Sequence, residues 1–256
     1  MFDKALLPAM IGSVFAFGCA AHAADEADET HEIIDNLAEA GFRPADILIA
    51  DGDVYAGRDA HVTLQASREM LETGGGTAEH YRTTNLVCGK TRICINPTAS
   101  FNSYSQLSQG LDLAIINYNV LPLVFDFVRG PASGCDANIT ITTTSGTGAS
   151  SGYPSSCNPY GLVYIGTGYQ SYSVDANEHI ITHELGHALG LRHTDYYSHT
   201  SCGDGTADGS AGVGAVLIPG TPTGAVPGSI FNACFSPATT TGELISSDIT
   251  ALNVLY

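Results

Sequence analysis

The sequence predicts an α+β fold, and three observations point to it. Glycine supplies 29 of 256 residues and only 14% are charged, a balance that favours strands, turns and loops over a helical bundle. Ala137 to Thr143 alternates Ile139 and Ile141 with polar neighbours, the period of a half-buried strand. Ser105 to Tyr118 instead sets Leu107, Leu111, Ala114, Ile115 and Tyr118 at helical spacing. A chain of 256 residues with 44% hydrophobic content can bury one substantial core beside a smaller N-terminal piece.

The first 23 residues have the pattern of an export signal. Lys4 gives a positive start, Ala5 to Phe17 an apolar stretch too short for a comfortable transmembrane helix, and Ala21-His22-Ala23 the small-x-small pattern before a signal-peptidase cut. Cys19 as a lipid-bearing cysteine is the competing reading, opposed by the bulky Phe17; on either, the chain leaves the cytoplasm for the exterior or the cell envelope. No later run could span a bilayer.

Residues 24–80 read as a separate segment. It opens with Asp25, Glu26, Asp28 and Glu29, continues as a helix around His31 to Ala40, and breaks at Gly41 and Pro44. Ile47 to Ala50 and Asp53 to Tyr55 are strands joined by an Asp51-Gly52 turn. A helix from Thr63 to Leu71 ends at Thr73-Gly74-Gly75-Gly76, a flexible boundary. Residues 81–256 then carry the composition of a globular domain. Leu86 to Ile95, Leu121 to Val128, Ala137 to Thr143 and Leu162 to Ile165 are predicted strands, Thr144 to Ser156 is a loop, and a short helix closes the chain near Ser247 to Leu255.

Six cysteines follow the leader, an even number that in an exported chain suggests disulfides. Proximity pairs Cys88–Cys94, Cys135–Cys157 and Cys202–Cys234. The 9 Lys and Arg against 26 Asp and Glu give a net charge of −17, which repels phosphate backbones and argues against nucleic-acid partners.

The chemistry concentrates in His183-Glu184-Leu185-Gly186-His187-Ala188-Leu189-Gly190-Leu191-Arg192-His193. Ser173 or Asp175 can cap this helix, Asp175 and Glu178 having capping-box spacing. His183 and His187 lie one turn apart on one face, so both can bind one zinc ion. Gly190 lets the chain turn so that His193 supplies a third ligand. Three imidazoles leave a coordination position open for water, the mark of a catalytic zinc site, and Glu184 is placed as its general base. Zinc in such sites lowers the water's pKa to about 7. His22, His31, His61, His80 and His199 lack partners at ligand spacing and read as ordinary polar residues. His179, one turn before His183, reads as a helix-surface histidine, with support of the ligands as the alternative.

The eleven-residue motif resembles that of the metzincins. Tyr81 to Val87, Gly152-Tyr153-Pro154, Asn158-Pro159-Tyr160, His193-Thr194-Asp195 and Ile218 to Pro222 further resemble the dual-action HEIGH metallopeptidases. The resemblance covers roughly Tyr81 to Tyr256. It implies a metzincin-like zinc peptidase domain with a twisted mixed sheet, an active-site helix and an irregular C-terminal subdomain. It also implies an edge strand that binds extended substrate, for which Ala137 to Thr143 is the candidate unless it is a core strand. The family sets a methionine in a turn beneath the zinc; here Ser229-Ile230-Phe231-Asn232 puts Phe231 there. Related zymogens block the zinc with a pro-region aspartate, which Asp59 in Gly57-Arg58-Asp59 matches loosely; a turn with a solvated Asp59 is the alternative. Asp195 is expected to orient His193 or cap a turn, and Tyr196 and Tyr197 are possible extra ligands. The reading is a monomeric zinc endopeptidase acting on peptides or proteins, cut free of its pro-segment after export. The alternative is a catalytically silent zinc-bearing surface or binding protein.

Overall fold

The computed structural model describes residues 18–72, 81–131, 133–196, 198–203, 215–222 and 225–256, with side-chain detail from residue 26. Most of the leader, the glycine-rich boundary at 73–80, and Tyr197 lie outside the described residues.

The chain opens with α1 (Gly18–Glu39), strands β1 (Ile47–Ala50), β2 (Asp53–Ala56) and β3 (Ala60–His61), and α2 (Leu64–Met70). Then come β4 (Tyr81–Arg82), β5 (Arg92–Pro97), α3 (Ala99–Asn102), α4 (Ser105–Asn119), β6 (Asp126–Arg129), β7 (Ala137–Thr144), β8 (Ala149–Gly152) and β9 (Leu162–Gly166). The site helix α5 (Val174–Ala188), β10 (Val216–Leu217) and α6 (Ser246–Leu255) complete the described elements. An eight-stranded mixed sheet has the order β1-β2-β3-β8-β9-β7-β5-β6. Its β9, β7, β5 and β6 run parallel, whereas β8 runs antiparallel to β9.

The main core lies between this sheet and the pair α4–α5. Ile93, Ile95, Ile139, Ile141, Val163 and Ile165 meet Leu107, Leu111, Ile181 and Leu185, all fully buried. The two helices approach closely at Gly110, where a Cβ would sit 2.7 Å from the Asn177 side chain. A second cluster lies under the N-terminal segment, joining Ile33, Leu37, Phe42, Val54, Val62 and Met70 to Tyr153. The segment thus has apolar packing of its own and is also stitched into the sheet through β3.

Five expectations need correction. The predicted strand Leu86 to Ile95 begins only at Arg92, because Cys88 is tied to Cys157 and Gly89 takes a left-handed φ of 63°. Leu121 to Val128 is extended in the sheet only from Asp126. The disulfides are Cys88–Cys157, Cys94–Cys135 and Cys202–Cys234, so only the last follows proximity. Cys94 lies in β5 opposite Asn138 of β7, which brings it to Cys135 just ahead of that strand. The strand β7 is no edge: it pairs with β5 on one side and β9 on the other. The Ser/Thr/Gly loop expected at 144–156 holds β8 instead, and the outer side of β8 is covered by β3. Among the described residues no helix is long and apolar enough to cross a membrane.

Candidate metal centre

The site is built on α5, whose start is set by Ser173: its side chain accepts from the Ala176 N–H at 3.1 Å. Asp175 lies inside the first turn rather than at the cap, where its charge suits the helix dipole. From Ala176 to Ala188 every residue is buried, so the helix has no solvent face. After Ala188 the chain reverses at Gly190, which has φ +103°, and the Leu191 N–H returns to the Gly186 carbonyl at 3.0 Å. A side chain at 190 would also meet the Asn85 carbonyl at 2.5 Å, so glycine satisfies both conformation and space. This turn brings His193 back toward His183 and His187.

Two carbonyls fix the imidazoles. His183 Nδ1 lies 2.7 Å from the Ile230 carbonyl and His187 Nδ1 2.8 Å from that of Leu191. A carbonyl only accepts, so each Nδ1 carries the proton and each Nε2 turns its lone pair inward. Asp59 arrives from the N-terminal segment. Its carboxylate lies 3.1 Å from His193 Nε2, 3.4 Å from His187 Nε2 and 3.6 Å from His183 Nε2. The ligand atoms of these four residues all lie within 4.8 Å of one another. His187 Nε2 and Asp59 Oδ1 are buried without a hydrogen-bond partner. Converging lone pairs left unsatisfied in this way are costly in an apolar interior and are what a cation would satisfy, so the residues fit a metal ion.

Asp59 is presented by a tight turn in which Gly57 and Arg58 both take positive φ, 64° and 80°. The Arg58 guanidinium lies 3.6 Å from Asp46. Burial works to raise the Asp59 carboxyl, but the neighbouring His193 and His187 hold it well below the usual carboxylate range. Glu184 is pushed the other way: burial and then the neighbouring Asp59 lift its carboxyl well above that range, against a pull from His193. Glu184 lines a small cavity of about 120 Å³ with Asp59, Tyr169, His179, His183 and Asn232. Tyr169, which no motif or spacing marks out, is raised to about 12 by burial and then by Glu184.

Phe231 lies fully buried beneath the helix, its ring centroid 6.4 Å from that of His183. A Cβ on Gly186 would run into that ring, so Gly186 and Phe231 share one space. His179 is not a surface residue: it is 3% exposed, stacks on Phe235 at 4.0 Å and meets Thr240 through Nδ1 at 2.8 Å. Burial, with a smaller effect from His183, takes its pKa down to about 3, so the ring is neutral. His61 also has a partner, with Nδ1 2.8 Å from the Tyr160 hydroxyl. Asp195 does not orient His193 through any described hydrogen bond; its carboxylate accepts from the Ser201 N–H and hydroxyl and from the Ala233 N–H, knotting the C-terminal loops. Tyr196 packs on Tyr81 and Arg192.

Three converging imidazoles with a buried glutamate beside them define a metallopeptidase-type centre. The family model of the dual-action HEIGH metallopeptidases matches residues 54–256, and the chain belongs to that family, hence to the zinc metallopeptidases. The match begins in β2 and so includes Asp59. No curated protein matches the chain. Among solved structures, a crystal structure of myroilysin is 15% identical, covering 73% of this chain and 95% of that one at a TM-score of 0.41. A second myroilysin structure is 14% identical, with 67% and 82% covered and a TM-score of 0.42. Metalloproteinase-II from Bacteroides fragilis is 10% identical, with 90% and 71% covered and a TM-score of 0.31. The assignment rests on the family match, since TM-scores this low carry no weight.

Proposed function

We propose that the protein is a secreted zinc-dependent endopeptidase in which His183, His187 and His193 hold Zn²⁺ and Glu184 is the general base. The observation that carries this is the convergence of three imidazole Nε2 atoms and one carboxylate within 4.8 Å, with Glu184 buried alongside. The chemistry a bound zinc supplies there is Lewis acidity toward water and the scissile carbonyl. Glu184 takes a proton from the attacking water and delivers it to the amine nitrogen as the C–N bond breaks. The Ile230 and Leu191 carbonyls keep His183 and His187 in the tautomer that leaves Nε2 free.

Residues 24–80 act as a pro-segment that holds the enzyme latent. Asp59 occupies the point where the imidazoles converge, and Ala60–His61 pair in parallel with Ser151–Gly152 on β8. Clearing the segment exposes that edge to an extended peptide, which adds by main-chain hydrogen bonds. The disulfides suit the exterior or cell envelope reached through a signal at residues 1–23. All four metal-facing residues come from one chain, so a monomer suffices.

The test is zinc content by mass spectrometry in His183→Ala, His187→Ala and His193→Ala beside the parent. Loss of zinc in each, with the parent stoichiometric, supports the ligand set. Full zinc retention in any one removes that residue from it.

A further inference from the structure

Beyond the 120 Å³ cavity beside Glu184 lies a larger one of about 620 Å³, and His179, Asn232 and Phe235 line both. The larger cavity is walled by the loops after α5, with the hydroxyl residues Thr200, Ser201, Ser236, Thr239 and Thr241, and among the described residues no charged side chain lines it. Among the described residues, none of the N-terminal segment lines it.

His179 stands where the two spaces meet. Its Nε2 is buried without a hydrogen-bond partner, in a side chain 97% removed from solvent (3% exposed). The Thr240 hydroxyl is free to act as the donor to its Nδ1. The Thr240 Oγ accepts from the Gly242 N–H at 3.1 Å, so its own hydroxyl proton is available to the His179 Nδ1, 2.8 Å away. An accepting Nδ1 in a neutral ring puts the proton on Nε2. The Phe235 ring, 15° from parallel, holds the imidazole flat. With Nδ1 accepting in this way, His179 presents a fixed, uncharged N–H donor that has no partner among the described residues. Buried donors of this kind are costly to leave unmade, and a site built around one rejects a ligand that cannot pair it.

We propose that this cavity receives the substrate side chain adjoining the scissile bond, and that His179 selects an uncharged side chain ending in a hydrogen-bond acceptor, glutamine being the simplest. This rests on the peptidase reading above. An aliphatic or thioether side chain leaves the N–H unpaired. A carboxylate could accept, but it would bring its charge into a pocket with no cation and on a chain of net charge −17.

The experiment compares peptides identical except for Gln, Met or Glu at each position flanking the cleaved bond, using the processed, zinc-loaded protein. At one flanking position kcat/KM for Gln should exceed that for Met and Glu by roughly tenfold to a hundredfold. In His179→Phe, which keeps the ring stack, the Gln-to-Met ratio should fall to within about threefold of one. The ratio is taken within one preparation, so a partly folded variant does not disguise it. The full-length protein gives a second readout by imidazole nitrogen NMR. There the His179 Nε2–H signal should shift with N-acetyl-glutamine methylamide and not with N-acetyl-methionine methylamide. Equal cleavage of Gln and Met peptides, or a His179 ring protonated on Nδ1, overturns the proposal. Should no peptide be cleaved, the enzyme reading fails, and the NMR titration still decides the pocket.

Discussion

Asp59 and His193 meet at 3.1 Å across a sequence separation of 134 residues, carboxylate oxygen to Nε2. The same carboxylate faces His187 and His183, so a side chain from the N-terminal part of the chain sits at the focus of the three imidazoles. If this contact keeps the chain latent, Asp59→Ala should raise cleavage of a short peptide by the unprocessed chain by on the order of tenfold, a change of about 1.4 kcal/mol. Initial rates on the uncut protein check it. Unchanged latency would assign the block to the β3–β8 pairing alone.

Phe231 is fully buried and fills the space that Gly186 leaves open on α5. Truncation to alanine opens a cavity and should cost about 3–5 kcal/mol in urea unfolding. Phe231→Met, closer in volume and flexible enough to fit under Gly186, should cost less than about 1.5 kcal/mol. If Phe231→Met also raised peptidase activity sharply, Phe231 would be an impaired substitute for methionine rather than an adequate floor.

Glu178 is raised from 4.5 to about 7, first by burial and then by Glu243 and Asp175. A carboxyl whose pKa rises on folding favours the native state while protonated. Its contribution is full below the unfolded value and is lost as pH climbs through about 7. Glu178→Gln cannot ionise, so its Tm should exceed the parent's above pH 7. The gain should vanish below about pH 4.5, and thermal melts across that window read the difference.

The metal-facing part of this site was legible because it is local. His183, Glu184 and His187 obey helical spacing, and Gly190 marks the turn that returns His193. What was not legible depends on partners distant in sequence. Ala149-Ser150-Ser151-Gly152 has no β-branched residue, so β8 is a strand only because β9 and β3 pair with it. The cysteine partners were hidden for the same reason, since the sheet and loops decide which cysteines meet. His179 was misplaced because an α5 buried on every side carries no amphipathic pattern to separate inside from outside. Asp59 gave only a weak signal, because Arg58 interrupts the Gly-Asp pattern and its left-handed φ of 80° has no sequence mark.

The most direct measurement is zinc content together with cleavage of a mixed peptide library, comparing the processed parent with Glu184→Gln. The account predicts stoichiometric zinc in both proteins, and cleavage by the parent that falls about 10²–10⁴-fold in the variant. Equal cleavage by Glu184→Gln would contradict the role of Glu184. Zinc in both with cleavage by neither would contradict the enzyme itself and leave a silent zinc-bearing protein.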